Sequence, residues 1–291
     1  MRYNDANTYF KLRFGHKMYK AAISLDVTCP NRDGSKGIGG CAFCSAGGSG
    51  EFASDKKESV TKQIDEAVEK LSSKVPADTG YIAYFQSFTG TYCSPSYLRE
   101  SLEEAASHPL VEALALATRP DCLPPEILEV LKEISSKIPL MVELGLQTSN
   151  DETAQSFQRG YKTSEYIEAV RNLREAGCEV ITHIIFGLPG EDKNDMLSSV
   201  QTAIDAGTNG VKFTCLYILK GTRYQKLWED GKIDVMGREE YFDIVESALE
   251  LLPPDMVVHR ITGDGPKSLL LAPMWTADKR SVVNYINRRF S

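Results

Sequence analysis

Past residue 75 the chain alternates two patterns of apolar and polar positions. Short runs rich in β-branched and aromatic residues predict strands at 81–86 (YIAYFQ), 113–118, 140–146, 179–186 (EVITHIIF) and 211–217, preceded by one at 21–26 (AAISLD). Longer amphipathic stretches lie between them. Val60, Ile64, Ala67, Val68 and Leu71 recur at helical spacing within 58–74, and a helix at 126–135 follows Pro124 and Pro125. Another, at 163–176, takes Thr163 as its N-cap and buries Ala169, Val170 and Leu173. Gly177 and Gly207 stand where C-terminal caps belong. A later helix at 237–251 leads into a tail that reads as rich in turns, with Gly263, Asp264, Gly265 and Pro266 as one of them.

Strand and helix in alternation predict βαβ units and a parallel sheet. The expected fold class is α/β: a partial (β/α)6 TIM-like barrel with extra terminal segments. One domain spans residues 1–291, with a core at about 21–217, an N-terminal flap at 1–20 and a C-terminal extension at about 218–291. In such folds reactive groups gather where strands end and loops begin.

Composition narrows the function. With 42% hydrophobic and 25% charged residues the 291-residue chain is ordinary globular material. No apolar run nears the roughly 20 residues that span a bilayer, and MRYNDANTYF lacks the apolar core of a secretory signal, so a cytoplasmic protein without membrane contact is expected. A net charge of −7 opposes a globally basic, nucleic-acid-coating surface. The ends differ. Arg2, Lys11, Arg13, Lys17 and Lys20 face only Asp5 in the first twenty residues, and Lys279, Arg280, Arg288 and Arg289 face no acid in the last thirteen. Tyr3, Tyr9, Phe10, Phe14, Tyr19, Tyr285 and Phe290 accompany them, a mixture that suits either flaps packed on the barrel or contact with RNA phosphate and bases.

Seven cysteines, an odd number in a chain able to bury its own core, point to metal rather than disulfides. Cys29, Cys41 and Cys44 stand eleven and then two residues apart, across a glycine-rich excursion, CPNRDGSKGIGGCAFC. A structural zinc site wants four ligands, and His16 and Cys93 lack zinc-like spacing. Three thiolates on a four-iron cluster leave one iron open to bind the amino and carboxylate groups of S-adenosylmethionine. Cys93, Cys122, Cys178 and Cys215 read as small buried hydrophobes, with Cys122 a candidate hydrogen-atom donor.

The long first cysteine spacing, with YFQSFTGTY, ATRPDCLPPEIL, VELGLQT, RGYKTSEYIEAVRNLREAGCEVITHIIFGLPGE and HRITGDGP, resembles radical S-adenosylmethionine enzymes of the branch related to the Elongator catalytic subunit. Within that branch it resembles the small bacterial proteins of the YhcC/YtqA type. The resemblance implies a 4Fe-4S cluster on Cys29, Cys41 and Cys44 that cleaves S-adenosylmethionine to a 5′-deoxyadenosyl radical, fed by a donor such as flavodoxin or ferredoxin. It implies Phe43 beside the cluster, Gln86 and Ser87 at the methionine amino group, and Gln147 with Arg159 at the cofactor's polar groups. Gly187, Leu188 and Pro189 take the loop near adenine. Thr118 and His183 complete the cofactor-binding candidates. The branch implies action on the wobble uridine of tRNA, at its aminomethyl side chain, through the basic ends. Two departures stand out: Ala117 replaces an acidic residue frequent in the branch, and an acetyltransferase domain is not among the matched segments. A radical enzyme acting on a small metabolite or a protein, or a non-catalytic iron-sulfur or zinc protein, are the alternatives.

Overall fold

Seven parallel strands form the sheet: β1 (Met18–Ile23), β2 (Gly80–Phe85), β3 (Val111–Thr118), β4 (Leu140–Gln147), β5 (Glu179–Phe186), β6 (Gly210–Cys215) and, after a short β7 (Ile218–Leu219), β8 (Val257–Arg260). They are hydrogen-bonded in the order β1-β2-β3-β4-β5-β6-β8, curled into an open half barrel, while β7 pairs antiparallel with β9 (Leu270–Ala272). The computed structural model describes residues 3–48, 56–73, 75–76, 78–263 and 265–290; Arg2 and Asp264 lie outside them.

The helices are α1 (Ala6–Phe14), α2 (Val60–Ser72), α3 (Pro95–Ala106), α4 (Pro125–Ser135), α5 (Asp151–Ser156), α6 (Thr163–Glu175), α7 (Lys193–Asp205), α8 (Arg223–Glu229), α9 (Arg238–Leu251) and α10 (Lys279–Phe290). Among the described residues none is long and apolar enough to cross a membrane.

The sheet is apolar on its outer face and over part of its inner one. Ile23, Phe85, Leu114, Leu116, Val142, Leu144, Ile184 and Phe186 pack outward against the helices, for example Ile64 of α2, Leu131 of α4, Val170 of α6 and Val200 of α7. Each such side chain stabilises the fold by about 1.5–3 kcal/mol. Met18, Ile82, Ala113, Ala115, Met141 and Ile181 face inward, in the lumen.

The terminal segments seal the barrel rather than hang from it. Asp5 caps α1 by accepting from the Asn7 and Thr8 amides, and Phe10 enters the floor of the lumen, its ring 5.8 Å from His259. Tyr9 donates to Glu179 at 2.9 Å and Arg13 pairs with the same carboxylate. At the other end Val282, Ile286 and Phe290 of α10 are buried, and Arg289 bonds Asp243 and Glu246 at 2.6 Å each. Of the aromatics at the two ends Phe10 and Phe290 are core and Tyr3, Tyr9, Phe14 and Tyr285 pack half-buried against it; Lys11, Lys17, Arg280 and Arg288 remain exposed.

Two sequence expectations change. Lys162, not Thr163, is the N-cap of α6; Thr163 is its first helical residue, and its hydroxyl bonds Ser149 and Asp151. The tail read as turns also holds β8, β9 and α10, α8 stands ahead of the later helix, and β8 adds a seventh strand to the six expected.

Candidate active site

The three cysteines follow β1, on the loop at the C-terminal mouth of the barrel. Their segment is folded by its own backbone: the Arg32 amide donates to the Cys29 carbonyl at 2.8 Å, Gly40 to Asn31 at 2.8 Å and Cys44 to Cys41 at 3.0 Å. Gly39 and Gly40 turn it back at φ of 83° and 86°, in the left-handed region. The Cys41–Cys44 turn is anchored by Phe43, whose ring lies 5.2 Å from Phe157 and 6.5 Å from Tyr224, and by the Ala42 amide donating to Phe157 at 3.0 Å.

Each sulfur faces one N–H donor. Asn31 Nδ2 lies 3.3 Å from Cys41 Sγ, Arg32 Nη2 3.4 Å from Cys44 Sγ, and Arg119 Nη1 3.8 Å from Cys29 Sγ. Asn31 is buried and also donates to the Gln158 and Arg159 carbonyls; a Cβ on Gly160 would meet its Oδ1 at 2.9 Å. Arg119 is fixed by a bidentate pair with Asp121 at 2.9 and 2.8 Å, and Lys36 of the cysteine loop reaches the same carboxylate at 2.7 Å. Burial pushes the Cys41 thiol up to about 11, and the charges of Cys44 and Cys29 act in the same direction, so the three thiols lie within one another's field. Among the described residues no group of three His, Cys, Asp or Glu is arranged around a single metal ion. His16, the fourth ligand a zinc site would need, stands before β1 at the opposite end of the barrel, 2.8 Å from Glu112. A donor set of three sulfurs with cationic and amide N–H groups aimed at them fits an anionic iron-sulfur cluster.

The other candidates divide by the face on which they stand. Gln147 closes β4 with φ of 60°, and its Oε1 accepts from Tyr161 at 3.0 Å. A positive φ in a glutamine is a strained conformation that the surroundings must hold. Gln86 continues the inward series of Ile82 and Tyr84, and its amide donates to Ile23 at 3.1 Å. Leu188 is buried beside Ala42, Phe157 and Tyr224, with Gly187 and Pro189 half-buried next to it. His183 faces the lumen and bonds Glu143 at 2.8 Å, and burial lowers it to about 4.

Four candidates turn elsewhere. Thr118 points outward with Leu114 and Leu116, its hydroxyl 2.5 Å from that of Thr91, because alternation leaves the inward place to Ala117. Ser87 is buried against Ser24 at 2.5 Å. Arg159, 1% exposed, donates to the Tyr161, Leu146 and Thr148 carbonyls and to Asp151 and Thr163, which commits all five of its N–H groups to the loop after β4. It braces Gln147 from behind. Cys122 lines a cavity of about 720 Å³ between α4 and α6, not the lumen.

Residues 29–203 match the family model of the Radical SAM superfamily, and residues 208–291 match the Radical_SAM C-terminal domain. The chain belongs to the radical SAM superfamily. The boundary between the two matches falls between α7 and β6, inside one continuous sheet. This radical SAM protein is 41% identical to YtqA of Bacillus subtilis over 99% of its own length and 89% of that protein's. It is 29% identical to a tRNA uridine(34) acetyltransferase of Methanocaldococcus jannaschii over 59% of its length, which is 32% of that enzyme's. Among solved structures it superposes on an archaeal Elp3 from Methanocaldococcus infernus with a TM-score of 0.69 at 17% identity, over 94% of this chain and 63% of that one. Members of the superfamily bind a 4Fe-4S cluster and S-adenosylmethionine.

Sequence reasoning missed the polar band in the lumen of this radical SAM protein. Glu143 of β4 is buried, bonded by Tyr84 at 2.6 Å and His183 at 2.8 Å and paired with Lys20 and Lys212. An acid within the apolar run LMVELGL was the available signal, since buried carboxylates need partners.

Proposed function

We propose that this protein holds a 4Fe-4S cluster on Cys29, Cys41 and Cys44 and uses S-adenosylmethionine to modify the wobble-uridine side chain of tRNA. The observation that carries the reading is the matching of one N–H donor to each of three sulfurs at the mouth of an open lumen. A bound cluster with one open iron supplies the electron that cleaves S-adenosylmethionine to the 5′-deoxyadenosyl radical.

The chain's own residues confine that chemistry. Phe43, Phe157 and Tyr224 form an apolar wall that keeps water from one side of the thiols. Arg119 and Arg32 offset the negative charge of the sulfurs. Gln147 and Gln86 offer amide groups for the cofactor's polar end, and Leu188 with Pro189 offers apolar surface for its adenine. The reductant is a small low-potential carrier of the flavodoxin or ferredoxin kind.

The tRNA assignment draws on likeness to the tRNA uridine(34) acetyltransferases. Lys11, Lys17, Arg280 and Arg288, exposed at the two ends, are the cations available for phosphate, so binding falls steeply with salt. The test is nucleoside profiling of tRNA from cells with and without the gene. Loss of one wobble-uridine modification with build-up of its precursor supports the assignment; an identical profile rejects tRNA as the substrate.

A further inference from the structure

The lumen band is not used by the chemistry proposed above. Pairing register sets Gly145, His183, Lys212 and Arg260 side by side on β4, β5, β6 and β8, one inward step above Glu143. Lys20 and Lys212 both pair with the Glu143 carboxylate, and Arg260 is near enough for its charge to act on Tyr84, His183 and Lys212. Two cationic side chains therefore share one carboxylate, with the charge of Arg260 beside them.

Everything around them resists further positive charge. Burial, with Lys20 and Lys212 adding, holds His259 well below the usual histidine range. Burial also pulls down the Lys212 ammonium, Glu143 opposing and Lys20 and Arg260 adding. Yet the band is not sealed from solvent. The side chains of Lys20 and His183 stay 25% and 30% exposed, the inward position after Lys20 on β1 is the small Ala22, and Ala117 pairs with Glu143 on the neighbouring strand.

We propose that Lys20, Lys212 and Arg260 form the binding site for an oxyanion of the substrate, a carboxylate or a phosphoryl group, at the base of the lumen. A cation such as a free aminomethyl group has no acceptor there, because Glu143 is already saturated by four donors. The proposal rests on the reading of the lumen as the substrate chamber, and its test needs no turnover.

The experiment is thermal unfolding of the anaerobically purified full chain in acetate, malonate or inorganic phosphate against chloride, at one pH and one ionic strength. A saturable rise in Tm is expected with at least one anion: phosphate alone indicates a phosphoryl group, the carboxylates a carboxylate. Lys20→Gln and Lys212→Gln weaken it by about tenfold, Glu143→Gln tightens it by about tenfold by removing the competing charge, and Lys193→Gln on the outer helix α7 leaves it unchanged. Should Lys212→Gln fail to fold, Lys20→Gln, at the half-exposed edge of the band, carries the comparison alone. No saturable effect, or one indifferent to Lys20→Gln and Glu143→Gln, overturns the proposal. Failure here leaves the cluster reading standing, since that is judged by iron content and cofactor cleavage.

Discussion

The guanidinium of Arg119 lies 3.8 Å from the sulfur of Cys29, brought there across 90 residues of sequence by the loop that follows β3. Asp121 fixes its plane through two hydrogen bonds, so the donor is aimed before any cofactor arrives. A positive N–H group at a ligating sulfur favours the reduced, more negative state of a cluster. Arg119→Met removes it while Lys36 still pairs with Asp121. The variant is expected to assemble its cluster with a midpoint potential shifted to more negative values, read by anaerobic redox titration with EPR. An unchanged potential would show that the contact has no electronic role.

Arg159 braces the loop after β4. Its loss leaves the Tyr161 and Thr148 carbonyls without their donor and removes one of several donors from the Leu146 carbonyl and the Asp151 carboxylate. At about 1–3 kcal/mol for each of the two carbonyls stranded, Arg159→Ala should cost at least about 2 kcal/mol in denaturant unfolding. A cost under about 1 kcal/mol contradicts this role.

Gly160 occupies the left-handed region at φ of 84° with its Cα pressed toward Asn31. Gly160→Ala meets both the backbone penalty, about 1–2 kcal/mol, and the Asn31 side chain. Iron content after reconstitution should fall in this variant, because Asn31 is displaced from Cys41; full loading would uncouple the two residues.

Glu191, at the end of the Gly187–Gly190 loop, gives a pH signature. Burial raises its carboxyl from 4.5 to about 7, against hydrogen bonds from Thr148 and Thr153. The folded chain thus holds this proton where the unfolded chain has released it. Its contribution to stability is full below the ordinary value and is lost as pH rises through about 7. Glu191→Gln should flatten this part of the stability profile between about pH 4.5 and 7.5, measured by denaturant melts at successive pH values. A wild-type profile with no such decline rules the assignment out.

What the sequence disclosed follows from local pattern. The outer faces of β2 to β6 are apolar and parts of their inner faces are too, so their runs are legible, but for the same reason their orientation is not, and the outward direction of Thr118 emerges only in the structure. The strand β8 is four residues long and carries His259 and Arg260, which hid it. In α1 only Phe10 is buried and apolar residues fall on all sides, so no helical face was visible; α10, with Val282, Ile286 and Phe290 four residues apart, could have been read. The cysteine spacing was plain, and two of the three sulfur donors, Asn31 and Arg32, lie between the cysteines themselves. The partners of Arg159 are mostly backbone carbonyls, which no side-chain pattern announces.

The central claim is that Cys29, Cys41 and Cys44 hold an iron-sulfur cluster open to S-adenosylmethionine. The most direct measurement is iron and sulfide content, with production of 5′-deoxyadenosine and methionine under a low-potential reductant, in the anaerobically reconstituted chain and in its three single Cys→Ala variants. About four irons per chain with cofactor cleavage, both lost in each variant, is the expected result. A chain that binds no iron, or a variant that still cleaves the cofactor, contradicts it.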